Sequence, residues 1–270
     1  MEERGDRISS SRLKPGEFPP LITISPLSSP HKHTILVLHG RGFNAEKFHS
    51  PLLASLSSNP SVSFQESLPH ARFVFPTAPL ARATKYRRSL IHQWYEGTGD
   101  WEPEARGDMR PSVEHVHKIL KDEIEMLNGD AGRVVLGQSL GAVVIMSGFM
   151  PLAETLMAEN EDEDISDDWM FETEEDGRTP LQKAIDELRE EAELDPEPPA
   201  KSFPFIKTPV FMGHGQRDKD VELYDGQQAA NCLERMGIEV EFKTYPDMAH
   251  WYCPEELGDI TKFITERVGT

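Results

Sequence analysis

One short motif combines a candidate nucleophile with glycines that could expose it. The sequence G-Q-S-L-G at positions 137–141 follows Val134–Leu136, a compact, β-branched-rich run that predicts a buried strand. We interpret the next apolar run, Ala142–Met146, as a buried helix. A strand, G-x-S-x-G and a helix together are typical of a nucleophile elbow, a sharp turn that presents the serine hydroxyl. The pattern therefore predicts Ser139 as a nucleophile.

Two later strands are followed by residues that could activate this serine. A serine hydroxyl becomes a good nucleophile when an imidazole takes its proton and a carboxylate orients the imidazole. Asp218 follows the apolar run Pro209–Met212, and His250 follows Val240–Thr244. The order serine, acid, histidine, with each residue just after a strand, is one established arrangement of this triad. Acyl transfer is the chemistry that these residue types predict.

Other acids and histidines lie close to these candidates. Asp220 is the nearest rival for the acid, and Asp247 is a weaker one because it lies in the turn that carries His250. His39 and His214 each lie between a predicted strand and a glycine turn. A ring in such a place commonly hydrogen-bonds the loop backbone, so we favour a structural role for both.

A second glycine turn could supply hydrogen-bond donors to a substrate oxygen. His33–His39 predicts an early strand, and Gly40-Arg41-Gly42 follows it directly. Glycines at such a turn let backbone N–H groups approach a developing oxyanion. Glycine is also common in ordinary strand-to-helix turns, so this turn supports acyl transfer only in combination with the other motifs.

Elements along the chain alternate between predicted strands and helices. This alternation predicts an α/β fold with a doubly wound, mainly parallel sheet and helices on both faces. We expect a flexible N-terminal arm at residues 1–20 and one domain at 21–270. An acidic insertion interrupts this domain at about 154–200, where Glu154 to Glu197 includes 19 acids and three bases. Within the insertion, Leu181–Ala192 has the apolar stripe of a docked helix, either capping the pocket or packing on the outer surface.

Composition excludes several classes of protein. The formal net charge of −19 argues against nucleic-acid binding. The first 20 residues lack the apolar segment of a secretory signal, and two cysteines give no disulfide framework. We therefore expect a cytoplasmic protein without a transmembrane segment. The spacing of the histidine pairs His31/His33 and His115/His117 predicts no metal site, and the oligomeric state is left open.

Several aromatic residues could line a substrate pocket. Leu80–Glu104 shows no periodicity and is rich in tryptophan, tyrosine and arginine, which predicts a long functional loop. The pocket hypothesis includes Phe43, Trp94 and Trp251. The alternative is that the aromatic side chains of the loop anchor it to the core.

The motifs together resemble the phospholipase/carboxylesterase family of α/β-hydrolases, which includes acyl-protein thioesterases. The resemblance covers roughly His33–Pro151 and Phe205–Val268, and its most specific part is the H-G-x-x-D-x-x-V segment that begins at His214. Members of this family usually have glutamine directly after the serine, whereas this chain has Leu140. The resemblance implies an α/β-hydrolase fold.

The resemblance also implies an activity and roles for individual residues. It implies a cofactor-free serine esterase or thioesterase with an acyl-enzyme intermediate and with Ser139, Asp218 and His250 as its triad. The backbone N–H groups of Arg41 and Leu140 would form the oxyanion hole. The implied substrates are esters or thioesters such as acylated proteins or lysolipids. A small-molecule or lysolipid carboxylesterase is the first alternative, and a catalytically inactive binding module with the same fold is the second.

Overall fold

A mainly parallel sheet forms the centre of the protein. The computed structural model describes residues 14–58, 62–96, 109–135, 142–148, 150, 178–191, 194 and 203–268. The predicted arm lies mostly outside these residues, as does most of the acidic insertion. The strands of the sheet are β1 (Ile22–Ile24), β2 (His33–Leu36), β3 (Ala71–Phe75), β6 (Val134–Val135), β7 (Val143–Met146), β8 (Val210–Gly215) and β9 (Val240–Tyr245).

The described strands pair in two groups, and a bridge joins the two groups. The first group has the order β1-β3-β2-β6 and the second the order β7-β8-β9. A parallel bridge between Val135 and Ala142 places β6 beside β7. Among the described strand pairs of this sheet, β1–β3 at the edge is antiparallel and the others are parallel. The prediction of a mainly parallel sheet is therefore confirmed, and the carboxyl ends of β6, β8 and β9 lie at the same edge of the sheet.

Helices cover both faces of this sheet. Helices α1, α2 and α6 pack on one face, and α3, α4 and α5 pack on the other. None of these described helices combines the length and the hydropathy needed to cross a membrane. The helices are α1 (Ala45–Ala54), α2 (Phe64–Ser67), α3 (Arg110–Met126), α4 (Pro180–Glu191), α5 (Leu223–Arg235) and α6 (Pro254–Val268).

Side chains that alternate between the two faces of each strand form the two halves of the core. In β3, Phe73 and Phe75 pack towards α1, α2 and α6, whereas Val74 packs towards α3. In β8, Phe211 packs towards α1, α2 and α6, whereas Met212 packs towards α4 and α5. Successive side chains of a strand point to opposite faces, so these apolar runs are buried on both sides. That is the pattern expected of parallel strands covered by helices on both faces.

The prediction of a helix after the G-x-S-x-G motif is wrong for the residues that the structure describes. Val143–Met146 forms strand β7, which pairs in parallel with Val210–Gly213 of β8. A short apolar run cannot be assigned to helix or strand from periodicity alone, and the β-branched residues Val143, Val144 and Ile145 favour a strand. Ser139 and Leu140 lie in the stretch 136–141, outside the described residues.

The predicted long loop contains regular structure. Strands β4 (Leu80–Ala83) and β5 (Ser89–His92) form an antiparallel hairpin. Its turn carries Arg87 and Arg88 with φ of 54° and 59°, a conformation that normally selects glycine or asparagine. The sequence therefore lacked the usual turn signal, and the prediction of an irregular segment was wrong for these residues.

The helix within the insertion packs on the sheet face. Leu181 of α4 is fully buried in a cluster with Val210 of β8 and with Ala229 and Ala230 of α5. The structure thus matches the second alternative, packing on the outer surface. Helix α4 lies beside α5 in the helix layer on this face of the sheet.

The other face of the sheet contains a cavity of about 210 Å³. We call it the sheet–helix cavity, because strands β2, β6 and β7 form one wall and helices α1, α2 and α6 form the other. The residues of the described part of the chain that line it are all apolar.

A carboxyl group is buried in the core beside strand β8. Glu256, in the first turn of α6, has no exposed surface, and neither of its carboxyl oxygens has a hydrogen-bond partner among the described residues. A Cβ atom at Gly213 would lie 2.0 Å from Oε1, so a glycine in β8 leaves room for this group. Burial raises the pKa of Glu256 to about 8, and nearby Asp259 contributes to the rise.

Stability is expected to fall as pH rises from about 4.5 to about 8. In this range the unfolded chain ionises Glu256 while the folded chain keeps it protonated. Glu256→Gln should remove this dependence and raise the free energy of unfolding at pH 8 by roughly 4 kcal/mol. Denaturant unfolding of both proteins at several pH values measures the effect. The matched control is Glu255→Gln at the exposed neighbour, and an equal shift in the control would contradict the assignment to Glu256.

Candidate active site

Two predicted site residues meet where neighbouring strands end. Asp218 follows β8 and His250 follows β9, and these strands are parallel neighbours. Nδ1 of His250 lies 2.9 Å from Oδ2 of Asp218. A carboxylate can only accept a hydrogen bond, so Nδ1 is the donor. This leaves Nε2, the other ring nitrogen, able to accept a proton.

Backbone groups fix the orientation of the Asp218 carboxylate. Its Oδ1 accepts hydrogen bonds from the N–H groups of Asp220 at 2.9 Å and Val221 at 3.0 Å. The Asp218 side chain has no exposed surface, whereas 43% of the His250 side chain is exposed. Burial alone would raise the pKa of Asp218, but the hydrogen bonds from Val221, His250 and Asp220 outweigh it and hold this pKa below its usual value. The carboxylate is therefore ionised at neutral pH and fixed in direction.

The structure distinguishes Asp218 from the two rival acids. Asp247 forms an ion pair with Arg217 at 2.6 Å, and both side chains are largely exposed. Asp220 donates its backbone N–H to Asp218. Its carboxylate also lies near the pair, because Asp218, Asp220 and His250 each have one potential metal-ligand atom and these three atoms all lie within 4.8 Å of one another. Among the described residues, the side chains of Asp218, Asp220 and His250 lie close enough to one another that they could hold one metal ion. The hydrogen bond between Asp218 and His250 already accounts for that proximity.

The loops that carry the pair are tied together by backbone contacts. The N–H of Gln216 donates to the carbonyl of Tyr245, and the N–H of Arg217 donates to the carbonyl of Met248, both at 3.0 Å. A Cβ atom at Gly215 would lie 2.3 Å from the Met248 oxygen. The glycine of the H-G-x-x-D segment therefore allows the close approach of the two loops.

The turn after β2 is braced by the hairpin. The N–H of Gly42, which has a φ of +82°, donates to the carbonyl of His92 at 2.8 Å. The guanidinium of Arg41 lies 5.1 Å from the centre of the Tyr95 ring. His39 accepts a hydrogen bond from the N–H of Ala78 through Nε2 at 3.0 Å. The ring of His39 thus holds the loop backbone, as its position in the sequence predicted.

The three aromatic residues of the pocket hypothesis separate into two groups. Phe43 and Trp251 contact each other edge to face, with ring centres 5.9 Å apart, and Trp251 is 48% exposed beside His250. Trp94 instead lies against His39 and donates its indole N–H to the His39 carbonyl at 2.8 Å. Trp94 therefore anchors the hairpin to the turn, whereas Phe43 and Trp251 form an aromatic surface next to the histidine.

Two aromatic residues of this surface were not predicted from the sequence. Phe48 of α1 lies 6.2 Å from Trp251 and 6.5 Å from Tyr252, measured between ring centres. Tyr252 directly follows Trp251, so its aromatic type could have suggested it. Phe48 belongs to the apolar stripe of a helix and carries no separate signal.

Comparisons with known proteins match the observed fold. The sequence profile described as Phospholipase/Carboxylesterase matches residues 196–268. Acyl-protein thioesterase 1 of Debaryomyces hansenii is 25% identical over 92% of this chain and 96% of its own length. Carboxylesterase SOBER1 of Arabidopsis thaliana is 24% identical over 87% of this chain and 90% of its own length.

A solved structure shows the same architecture. The crystal structure of Zea mays acyl-protein thioesterase 2 aligns with a TM-score of 0.58 and 18% identity, covering 93% of this chain and 99% of that chain. At this identity the similarity concerns the fold. Together, the sequence and fold comparisons confirm the resemblance that the motifs predicted.

Proposed function

We propose that this chain, which is similar to the phospholipase/carboxylesterase family of α/β-hydrolases, hydrolyses carboxylic esters or thioesters through Ser139, His250 and Asp218. The observation that carries the proposal is the 2.9 Å hydrogen bond between His250 and the buried, ionised Asp218. Ser139 follows β6, as Asp218 follows β8 and His250 follows β9. Residues that follow parallel strands in one sheet leave it at the same edge, which supports their convergence.

The proposed mechanism proceeds in two acyl-transfer steps. Nε2 of His250 takes the proton of the Ser139 hydroxyl as its oxygen attacks the carbonyl carbon, and Asp218 stabilises the imidazolium. The same proton then passes to the leaving alcohol or thiol, and an acyl-enzyme remains. Water then attacks this intermediate while His250 takes its proton, the bond between the acyl carbon and the Ser139 oxygen breaks, the proton passes from His250 to that oxygen, and the carboxylic acid is released. Backbone N–H groups of Arg41 and Leu140 are proposed to stabilise the tetrahedral oxyanion, and no cofactor takes part.

The substrate class follows from the relatives and the aromatic surface. The similar proteins include an acyl-protein thioesterase and a carboxylesterase, so acylated proteins and lysolipid or small carboxylic esters are the proposed substrates. The aromatic surface of Phe43 and Trp251 beside His250 suits an apolar acyl or alcohol group.

A second candidate function is a binding module that has the fold without the activity. The observation that favours it is the strand Val143–Met146, which replaces the helix expected in a nucleophile elbow. The sequence leaves six residues, 136–141, between Val135 and Ala142. Without a helix after the serine, the elbow would have to be built in a different way.

Purified protein is expected to hydrolyse p-nitrophenyl esters and acyl thioesters. The test is a series of both substrate types from C2 to C16, with His250→Ala as the control, because this variant lacks the proposed base. Activity of the wild type above that of the control supports the hydrolase, and the relative rates give the acyl preference. Equal rates for the two folded proteins across the whole series would exclude the hydrolase and favour the binding module.

A further inference from the structure

Two glycines of β8 make room for the segment that follows β9. Gly213 and Gly215 are alternate residues of this strand, so they face the same side of the sheet. A Cβ atom at Gly213 would lie 2.0 Å from Oε1 of Glu256, and one at Gly215 would lie 2.3 Å from the backbone oxygen of Met248. The turn at 246–253 and the first turn of α6 therefore pack together on one face of β8.

This segment carries His250 between its two contacts with β8. His250 lies two residues after Met248 and six residues before Glu256. The N–H of Glu256 donates to Sγ of Cys253 at 3.5 Å, and the N–H of Leu257 donates to the carbonyl of Cys253 at 3.0 Å. These bonds join the first turn of α6 to the turn that carries His250, so a displacement of one displaces the other.

The surroundings of the Glu256 carboxyl favour its neutral form. The side chain has no exposed surface, and neither oxygen has a hydrogen-bond partner among the described residues. The carboxylate of Asp259, which accepts hydrogen bonds from Tyr245 at 2.9 Å and Lys243 at 2.8 Å, places a negative charge on the same helix. An unpaired buried ion near a like charge is unfavourable, so ionisation of Glu256 favours an opening that exposes it to water.

We propose that uncharged Glu256 positions His250, and that the segment 246–257 leaves β8 as a unit when this carboxyl ionises. The opening breaks the 2.9 Å hydrogen bond between His250 and Asp218. Burial raises the pKa of Glu256 to about 8, so the opening becomes more favourable from about pH 4.5 to about pH 8 and levels off above that range. The consequence for hydrolysis rests on the proposed function, whereas the opening itself does not.

Other titratable groups near Glu256 lie on β9, in the turn and on α6. They are Glu241, Lys243, Tyr245, Cys253, Glu255 and Asp259. Tyr245 and Cys253 stay uncharged below about pH 8, because burial raises both pKa values. Lys243 stays charged, because its hydrogen bonds to carboxylates outweigh burial and raise its pKa. His214 of β8 packs against α5 instead. A Glu256→Gln variant keeps all of these groups and isolates the effect of Glu256.

Hydrogen exchange in the whole chain tests the inference without a substrate. Exchange rates of the segment 246–257, divided by the intrinsic rate of each amide at each pH, give the opening constant of the segment. In the wild type this constant is expected to rise about tenfold per pH unit between about pH 5 and about pH 7.5. In Glu256→Gln it should stay constant. Glu255→Gln at the exposed neighbour is the matched control and should keep the wild-type slope.

The same data separate a local opening from global unfolding. The segment should exchange faster than the amides of β3 at every pH, because β3 lies in the core and opens only with larger parts of the fold. If Glu256→Gln does not fold, Glu256→Met replaces it with an uncharged side chain of similar length. A constant opening in the wild type, the wild-type slope in a folded Glu256 variant, or exchange no faster than that of β3 would overturn the inference. Failure of the proposed hydrolysis would leave these expected results unchanged.

Discussion

Asp218→Asn is expected to lower kcat for short p-nitrophenyl esters by about 10⁴-fold while the protein stays folded. The two backbone N–H groups that bond Oδ1 would hold the amide oxygen of asparagine in the same place. The amide NH₂ would then face Nδ1 of His250, which must accept instead of donating. The proton would move to Nε2, the nitrogen that has to take the serine proton, and the negative charge that stabilises the imidazolium would be lost.

Asp220→Asn is the matched control for this prediction. It keeps the backbone N–H that bonds Asp218 and changes only the neighbouring carboxylate, so kcat should stay within about tenfold of the wild type. Steady-state kinetics, with circular dichroism to verify folding, compare the two variants. Swapped outcomes would move the role of the acid to Asp220, and two fully active variants would contradict the proposed triad.

The pairing of Asp218 with His250 could be predicted because it depends on local signals and one rule of topology. Each residue follows an apolar run that predicts a buried strand, and parallel strands end at one edge of the sheet. Gly215 adds a second signal, since the close contact with Met248 excludes a side chain at this position. These features depend on residue types at fixed spacings, which a sequence shows directly.

Two elements were missed because their signals were ambiguous or absent. The strand Val143–Met146 is an apolar run too short for its period to identify it, and its pairing with β8 depends on a contact distant in sequence. The hairpin of β4 and β5 turns through arginines with positive φ, where glycine or asparagine is the usual signal.

The buried Glu256 was a third omission, although the sequence contains a signal for it. Glu256 lies four residues before Ile260 and eight before Ile264, on the apolar face of its helix. An acid in such a stripe predicts either a paired charge or a protonated carboxyl group. The structure shows the second case, because burial raises the pKa of Glu256 to about 8.

Ser139→Ala is expected to abolish ester and thioester hydrolysis, with a loss on the order of 10⁴-fold or more and without unfolding. The substitution removes only the hydroxyl group, so a loss of this size would identify Ser139 as the nucleophile. Residual turnover within tenfold of the wild type would contradict the serine mechanism. This prediction matters most because the strand β7 departs from the elbow pattern that first pointed to Ser139.

The central claim is that Ser139 is a nucleophile activated by His250 and Asp218. A fluorophosphonate probe reports this directly, because it bonds covalently to a serine whose hydroxyl is deprotonated by a neighbouring base. Mass spectrometry of the labelled protein should show one adduct, located on Ser139 by peptide mapping. The adduct should be absent in Ser139→Ala and form far more slowly in His250→Ala. A folded wild-type protein without an adduct, or with the adduct on another residue, would contradict the claim.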